Sequence, residues 1–387
     1  MRILQVGKYY PPHMGGIETY LQTLCAELSS QAEVSLLVAS DGRMNSTELI
    51  EGVSVRRAAT MCHFAGAPIC PSIVRDVARS QADIVHIHLP NPIGILAGLA
   101  VRPSARLVVT YHSDIVRQRI LGMASEPVLR WMLNRCDAIM ATSQNYVASS
   151  PVLREYRDRC SVVPYGIQPL RLGGNSTEFE HGIRSAYGTR IVLAVGRLVY
   201  YKGFEFLVRA MAKVNGHLLL VGEGPLRHSL EEEARVAGVS DRVHFLGNIP
   251  NSELMPCYRA SQVFALPSIA RSEAFGIVQL EAMACGRPVV NTQLESGVPF
   301  VSIDGVTGFT IPPKDSNALA AALTRLLDDP ALCARFGEAG RRRVEQEFTA
   351  ERMASKTLEV YRSVLGNRSI TGVLASIIPI DQTESDC

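Results

Sequence analysis

Short apolar runs alternate with amphipathic stretches from the start of the chain. RILQVGKYY (2–10) reads as a buried strand and PPHMGG (11–16) as a turn. IETYLQTLCAELSS (17–30) then places Ile17, Tyr20, Leu21, Leu24, Cys25 and Leu28 on one helical face. EVSLLVAS, VSVRRA, ADIVHIHLP, RLVVTYHS and DAIMATS have the look of buried strands, and PSIVRDVARSQ and SEPVLRWMLNR that of helices between them. Such alternation predicts a parallel sheet covered by helices on both faces.

The rhythm breaks after SVVPYGI (161–167). Residues 168–188 are polar and glycine-containing, as a linker would be, and RIVLAVGRL then restarts the pattern near Arg190. RIVLAVG, HLLLVGEG, RVHFLGN, VFALPS, PVVNT and GFTIPP are the strand candidates of a second unit, followed by helical patterns from about Ser316 to Leu365. The expected organisation is a first domain over 1–167, a linker over 168–188, a second domain over 189–348, a terminal helix over 349–365 and a loose tail over 366–387. Two doubly wound α/β domains in tandem leave a cleft between the C-terminal edges of their sheets, where open α/β sheets bind ligands.

Composition changes this picture little. A chain of 387 residues with 47% hydrophobic content exceeds what one core usually holds, in agreement with two domains. With 39 basic against 37 acidic residues the balance names no polyanionic partner, and nucleic acid is not expected. Nine cysteines without a CxxC spacing point to a reducing, cytoplasmic compartment. The N-terminus has no secretion-signal pattern, and IGILAGLAV (93–101) is far shorter than the roughly 20 residues a membrane span needs.

Candidate chemistry concentrates in the second unit. In AVGRLVYYKG (194–203) a buried strand ends at a glycine and two cations follow, Arg197 and Lys202. A planar fork beside a point charge suits a diphosphate, although two solvated loop residues would look the same in one dimension. RSEAFGIVQLE (271–281) holds Glu273 and Glu281. On one continuous helix their Cα atoms would lie about 12 Å apart, too far for a retaining glycosidase pair but suited to a ligand held at both ends. A helix expected from about Phe275 through Cys285, stopped by Gly286 and Pro288, would offer the amides of Phe275, Gly276 and Ile277 to an anion. The plainer alternative makes Glu273 a helix cap and Glu281 a solvated face residue. A sugar, a diphosphate and a ribose would together span the two carboxylates, which describes a nucleotide sugar.

Taken in order, PPHMGGIE, VGRL…YKG, LVGEGPLR (220–227), the Glu273 to Glu281 stretch followed by EAMACGRPVV, and DGVTGFTIPP (304–313) resemble the retaining glycosyltransferases of family 4, also called glycosyl transferases group 1. The resemblance runs from about residue 1 to 348. It implies the GT-B fold, two Rossmann-like domains facing across a cleft, with the acceptor on the first domain and the nucleotide-diphosphate sugar on the second. It also implies a last helix, available at 350–365, that crosses back to the first domain. By that resemblance Arg197 and Lys202 hold the donor diphosphate, Glu281 the ribose hydroxyls and Glu273 the transferred sugar. Gly15 and Gly16 let the backbone approach the donor, and His112, in VVTYHSD, faces the donor sugar. Closest are transferases that add mannose or a related deoxyhexose from GDP donors during bacterial surface polysaccharide assembly. In their glycine-valine-proline loop an acidic residue is frequent, whereas SGVPFVS (296–302) has Phe300.

His86 and His88 share a strand face, but catalytic zinc usually takes three protein ligands and no third is evident. No Asp-x-Asp triplet occurs, and neither metal nor cofactor is expected. Residues 113–135 carry Arg117, Arg119, Arg130 and Arg135 among apolar residues. They would fit either peripheral contact with an anionic membrane bearing a lipid-linked acceptor, or a core-facing helix with solvated arginines. A sugar-nucleotide epimerase or phosphorylase on the same fold and a non-catalytic nucleotide-binding protein are the rival readings. A nicotinamide oxidoreductase is disfavoured because VGKYYPPHMGG lacks the GxGxxG spacing.

Overall fold

A computed structural model describes residues 1–13, 15–64, 66–114, 119–168 and 177–366. The expected tail over 366–387 lies, beyond its first residue, outside the described residues. The first unit runs β1 (Arg2–Val6), α1 (Gly16–Ser29), β2 (Glu33–Ala39), β3 (Ser46–Ile50), β4 (Val53–Ala58), a hairpin of β5 (Cys62–Phe64) and β6 (Ala67–Ile69), and α2 (Pro71–Arg79). It continues with β7 (Ile84–Leu89), α3 (Pro92–Leu99), β8 (Arg106–Tyr111), α4 (Arg119–Arg135), β9 (Ala138–Ala141), α5 (Gln144–Ser149) and β10 (Cys160–Val162). Eight strands form one sheet in the order β10-β9-β8-β7-β1-β2-β4-β3, all parallel except the edge pair β3·β4. Its central strands β1, β7 and β8 are buried along nearly their whole length, which explains why they read as unbroken apolar runs.

The second unit comprises α6 (Thr177–Tyr187), β11 (Ile191–Val195), α7 (Phe204–Ala210), β12 (His217–Val221), α8 (Arg227–Val236), β13 (Val243–Gly247), α9 (Asn251–Ala260), β14 (Val263–Leu266), α10 (Ile277–Ala284), β15 (Val289–Thr292), α11 (Val298–Val301), β16 (Gly308–Ile311), α12 (Ser316–Asp328) and α13 (Pro330–Glu347). Its sheet is wholly parallel in the order β13-β12-β11-β14-β15-β16. Renumbered within the sheet this is the doubly wound order 3-2-1-4-5-6, and the parallel strands of the first sheet follow the same scheme with one more strand. The chain therefore has the GT-B architecture. The order reverses between β1 and β7 in one sheet and between β11 and β14 in the other, and ligand crevices open at those points.

One expectation needs correction. The segment read as a linker over 168–188 contains α6, whose Ile183 is buried and whose Arg184 side chain donates to the Arg259 carbonyl at the end of α9 at 2.6 Å. Its glycines and charges hid a helix that needs only one apolar edge. The chain crosses between units twice, side by side. Ile167 N–H donates to Phe348 O and Ala350 N–H to Ile167 O, both at 2.9 Å. After the second crossing α14 (Ala350–Leu365) packs on α1 of the first unit.

Candidate active site

The second wall of the cleft is built at the β11/β14 reversal. β11 ends at Val195, and the φ of +146 and missing side chain of the next residue, Gly196, let Lys202 fold over it: a Cβ there would lie 3.2 Å from Lys202 Nζ. Lys202 Nζ meets Glu273 Oε2 at 2.6 Å, and Ser268 Oγ donates to the same oxygen at 3.1 Å. Both members of the pair are buried. Burial opposes the Lys202 charge, yet Glu273 with Tyr201 beside it outweighs the burial and holds the ammonium pKa above its ordinary value. Arg197 stands exposed nearby, and no hydrogen bond or ion pair among the described residues engages its guanidinium. The two cations thus differ. Lys202 is a fixed buried charge, whereas Arg197 is free to swing onto a ligand.

The helix after β14 starts later than its sequence implied. Gly276 is left-handed (φ 77, ψ 64), so α10 begins at Ile277 rather than near Phe275, and no side chain caps it. Its first free amides therefore belong to Ile277 and Val278, while Gln279 N–H bonds to Gly276 O at 2.9 Å. The Phe275 ring is buried against Tyr165, Phe348 and Phe300, a packing role that joins the two units. Phe300 in the SGVPFVS loop packs in the same group, with the Arg343 guanidinium 5.7 Å from its ring. Glu281 lies one turn into α10, half-buried, and accepts from Tyr258 Oη at 2.7 Å. Burial raises its carboxyl pKa, with the Tyr258 bond and the Lys202 charge acting the other way.

The opposite wall comes from the first unit. Gly15 precedes α1 in extended backbone, and Gly16 is exposed at its first turn. A Cβ on Gly16 would lie 3.8 Å from Ile277 Cδ1. The N-termini of α1 and α10 therefore come close together, and each favours negative charge beside it.

His112 departs from its expected role. It does follow β8 at the cleft edge, but its Nε2 bonds to His88 Nδ1 at 3.0 Å and its Nδ1 to Tyr165 Oη, leaving neither ring nitrogen for a sugar. The bonds continue inward. Gln5 Nε2 donates to Tyr361 Oη at 3.0 Å, so its Oε1 accepts from His88 Nε2–H at 2.8 Å. His88 Nδ1 must then accept from His112 Nε2–H, and His112 Nδ1 from the Tyr165 hydroxyl. On the other side Tyr361 Oη–H donates to His86 Nδ1 at 2.6 Å, and His86 Nε2–H to Thr110 Oγ1 at 2.7 Å. Burial holds all three imidazoles well below the ordinary histidine pKa, His88 at about 3. The HIH motif is thus a buried hydrogen-bonded chain linking α14 to the cleft, and no cluster of metal-ligating side chains occurs among the described residues.

Sequence reasoning missed three contributors. Ser268 and Tyr258 orient Glu273 and Glu281, and nothing in one dimension pairs them with those residues. Arg271, two positions before Glu273, reaches the first unit: its Nη2 donates to Asp114 Oδ2 at 2.8 Å and its Nη1 to Ser149 O at 2.7 Å. On α4, Arg130 pairs with Glu126 and Glu155, and Arg135 donates to the carbonyls of Gly98, Leu99 and Val101. These two arginines serve the fold. Arg117 and the Arg119 side chain lie outside the described residues. No described helix is long and apolar enough to cross a membrane.

Comparison with known proteins assigns the class. Residues 14–171 match the model of Glycosyltransferase Family 4 and residues 176–343 that of Glycosyl transferases group 1, and the chain belongs to this family of glycosyltransferases. It is 34% identical to O-antigen chain mannosyltransferase C of Escherichia coli, over 95% of this chain and 100% of that one. It is 32% identical to the D-rhamnosyltransferase WbpZ of Pseudomonas aeruginosa, over 90% and 93% respectively. Among solved structures, sucrose-phosphate synthase from Thermosynechococcus elongatus superposes with a TM-score of 0.78 at 25% identity, covering 95% of this chain and 99% of that one.

Proposed function

We propose that this glycosyltransferase moves a hexose of manno configuration, with mannose from GDP-mannose as the leading donor, to a hydroxyl of a saccharide or lipid-linked saccharide during surface polysaccharide assembly. The observation that carries the reading is the buried Lys202–Glu273 pair, whose carboxylate lies in the loop leading to α10, together with the close approach of the starts of α1 and α10. The names of the two bacterial relatives support the sugar, since mannose and D-rhamnose share ring stereochemistry and differ only at C6. GDP comes from the sequence resemblance.

In this reading the diphosphate lies between the helix N-termini, within reach of Arg197 and Lys202. Negative charge grows there as the bond from the anomeric carbon to the phosphate oxygen breaks, and preorganised cations and amides stabilise that charge most in the transition state. The acceptor oxygen bonds to the anomeric carbon on the face the diphosphate leaves, its proton passing to the departing phosphate oxygen. Configuration is retained and no protein base or metal is needed. Glu273, anchored by Lys202 and Ser268, has its second oxygen for sugar hydroxyls, and Glu281, anchored by Tyr258, has its second oxygen for the ribose. His112 acts through its fixed position, not through a free nitrogen. Contact with a membrane would be peripheral.

The test is GDP release from GDP-mannose with and without a lipid-linked or polysaccharide acceptor fraction. Release that rises with acceptor, with the sugar recovered on it in the α configuration, is expected. Epimerised nucleotide sugar, sugar phosphate or no turnover would overturn the reading.

A further inference from the structure

Arg271 is tied to both sides of the cleft. Through its guanidinium it holds Asp114, just after β8, and the Ser149 carbonyl at the end of α5, while lying 5.7 Å from the Tyr146 ring. Asp114 is itself fixed, with Oδ1 accepting from Tyr111 Oη at 3.0 Å and Ser150 Oγ at 2.7 Å, and its N–H donating to Tyr146 Oη at 2.6 Å. The side chains of the ion pair are 25% and 14% exposed, sheltered enough for the attraction to escape most salt screening. On the other side, Arg271 lies in a tight turn closed by Glu273 N–H to Ala270 O at 3.0 Å. The donor-site carboxylate is thus two residues from the anchor, inside one hydrogen-bonded turn.

Neighbouring contacts reinforce this seam. Ser149 Oγ donates to Glu295 O at 2.8 Å, and Gly297 N–H donates to Ala274 O at 2.7 Å. A Cβ on Gly297 would lie 3.1 Å from Ser143 Oγ, so α5 abuts the second unit closely. The chain crosses between the units at Ile167 and Thr349, and Phe275, four residues from Arg271, packs on Tyr165 and Phe348 beside those crossings. Any movement that parted α5 from the second unit would have to break Arg271 from Asp114 and from the Ser149 carbonyl, and Ser149 from Glu295.

We propose that Arg271, held by Asp114, is a positioning residue for sugar transfer: it sets Glu273 and the second-unit wall at a fixed separation from the first-unit wall. The inference rests on the proposed donor site. Nucleotide binding draws mainly on second-unit residues, Arg197, Lys202, Glu281 and the amides of α10, with only the α1 N-terminus from the first unit, and so depends less on a fixed separation. Turnover needs it, because near-attack geometry tolerates little displacement.

The experiment compares wild type with Arg271→Met, Arg271→Lys, Asp114→Asn and the charge swap Asp114→Arg/Arg271→Asp. Calorimetry gives GDP affinity, and GDP-mannose hydrolysis by water gives turnover without an acceptor. Circular dichroism confirms that each variant is folded, and Asp114→Asn, which keeps its shape, stands in for any variant that is not. Expected are GDP dissociation constants within about threefold of wild type, hydrolysis slowed at least about tenfold in Arg271→Met and Asp114→Asn, a smaller loss in Arg271→Lys, and partial recovery in the swap. Equal losses of affinity and turnover would make Arg271 a donor ligand, and unchanged turnover would make the pair merely structural. Either result overturns the inference. Wild type that binds no GDP would overturn the donor-site reading instead.

Discussion

Lys202 Nζ lies 2.6 Å from Glu273 Oε2, so the two residues that the sequence assigns to different parts of a donor form one buried ion pair without it. Each is the other's compensation for burial. Removing one partner leaves an unpaired buried charge, which costs about 3–5 kcal/mol. Denaturant unfolding is therefore expected to show Glu273→Ala and Lys202→Ala each strongly destabilised, with the Lys202→Ala/Glu273→Ala double variant more stable than the sum of the single losses. Additive losses would show that the pair carries no coupling.

Turnover should separate these variants from rim substitutions. Lys202→Ala is expected to slow GDP-mannose turnover about 100- to 1,000-fold, the usual cost of removing one preorganised donor from developing negative charge. Arg197→Ala, an exposed and unpaired cation, should leave thermal stability unchanged while lowering turnover. A value within about threefold of wild type for Lys202→Ala, in protein shown to be folded, would remove charge stabilisation from the account.

Glu281 and Tyr258 carry a pH prediction. Burial raises the Glu281 carboxyl pKa and the Tyr258 bond lowers it. Only the ionised carboxylate accepts from two ribose hydroxyls, so GDP affinity should fall as pH drops through that raised pKa. Tyr258→Phe removes a bond that favours the charge, and the midpoint of the loss should move to higher pH. Calorimetric titrations carried from about pH 7.5 downward until the loss of affinity levels off read it directly, and a midpoint that stays or moves down would contradict the assignment.

The buried imidazoles predict acid sensitivity. Their folded pKa values lie below the unfolded value of about 6.5, so below that pH the unfolded chain binds more protons and stability falls. The loss is about 1.4 kcal/mol per pH unit per histidine, absent above pH 6.5 and, for His88, ending near its folded value of about 3. Replacing His88 with Gln should reduce the slope of stability against pH between 6.5 and 5 by about one proton. An unchanged slope would mean that His88 is accessible to protons in the native state.

Much of this fold was legible because parallel strands covered on both faces must be apolar throughout, and β7 or β11 offers no other reading. β3 escaped because STELI is an exposed edge strand, and α3 because Pro92–Leu99 is apolar nearly all round and has no helical stripe. At the site, Lys202 and Glu273 stood out as charges in the loops that follow strands, and Glu281 as a charge within the next helix. Their orienting partners did not: Tyr258 and Ser268 look like ordinary core and loop residues, and Asp114 meets Arg271 across 157 positions of chain. The two-residue error at α10 has a local cause, since Gly276 in a left-handed conformation ends the approach strand's loop before the helix can begin. His112 was placed correctly at a strand end, but its direction depended on Tyr165 and on a helix from the far end of the chain.

The most direct measurement is calorimetric titration of wild type and Glu281→Gln with GDP, UDP and ADP. The account predicts one GDP site per chain, tighter than for UDP or ADP, weakened about 10- to 100-fold by Glu281→Gln through loss of a charged hydrogen-bond acceptor. No binding of any of the three, or GDP binding that Glu281→Gln leaves unchanged, would contradict it.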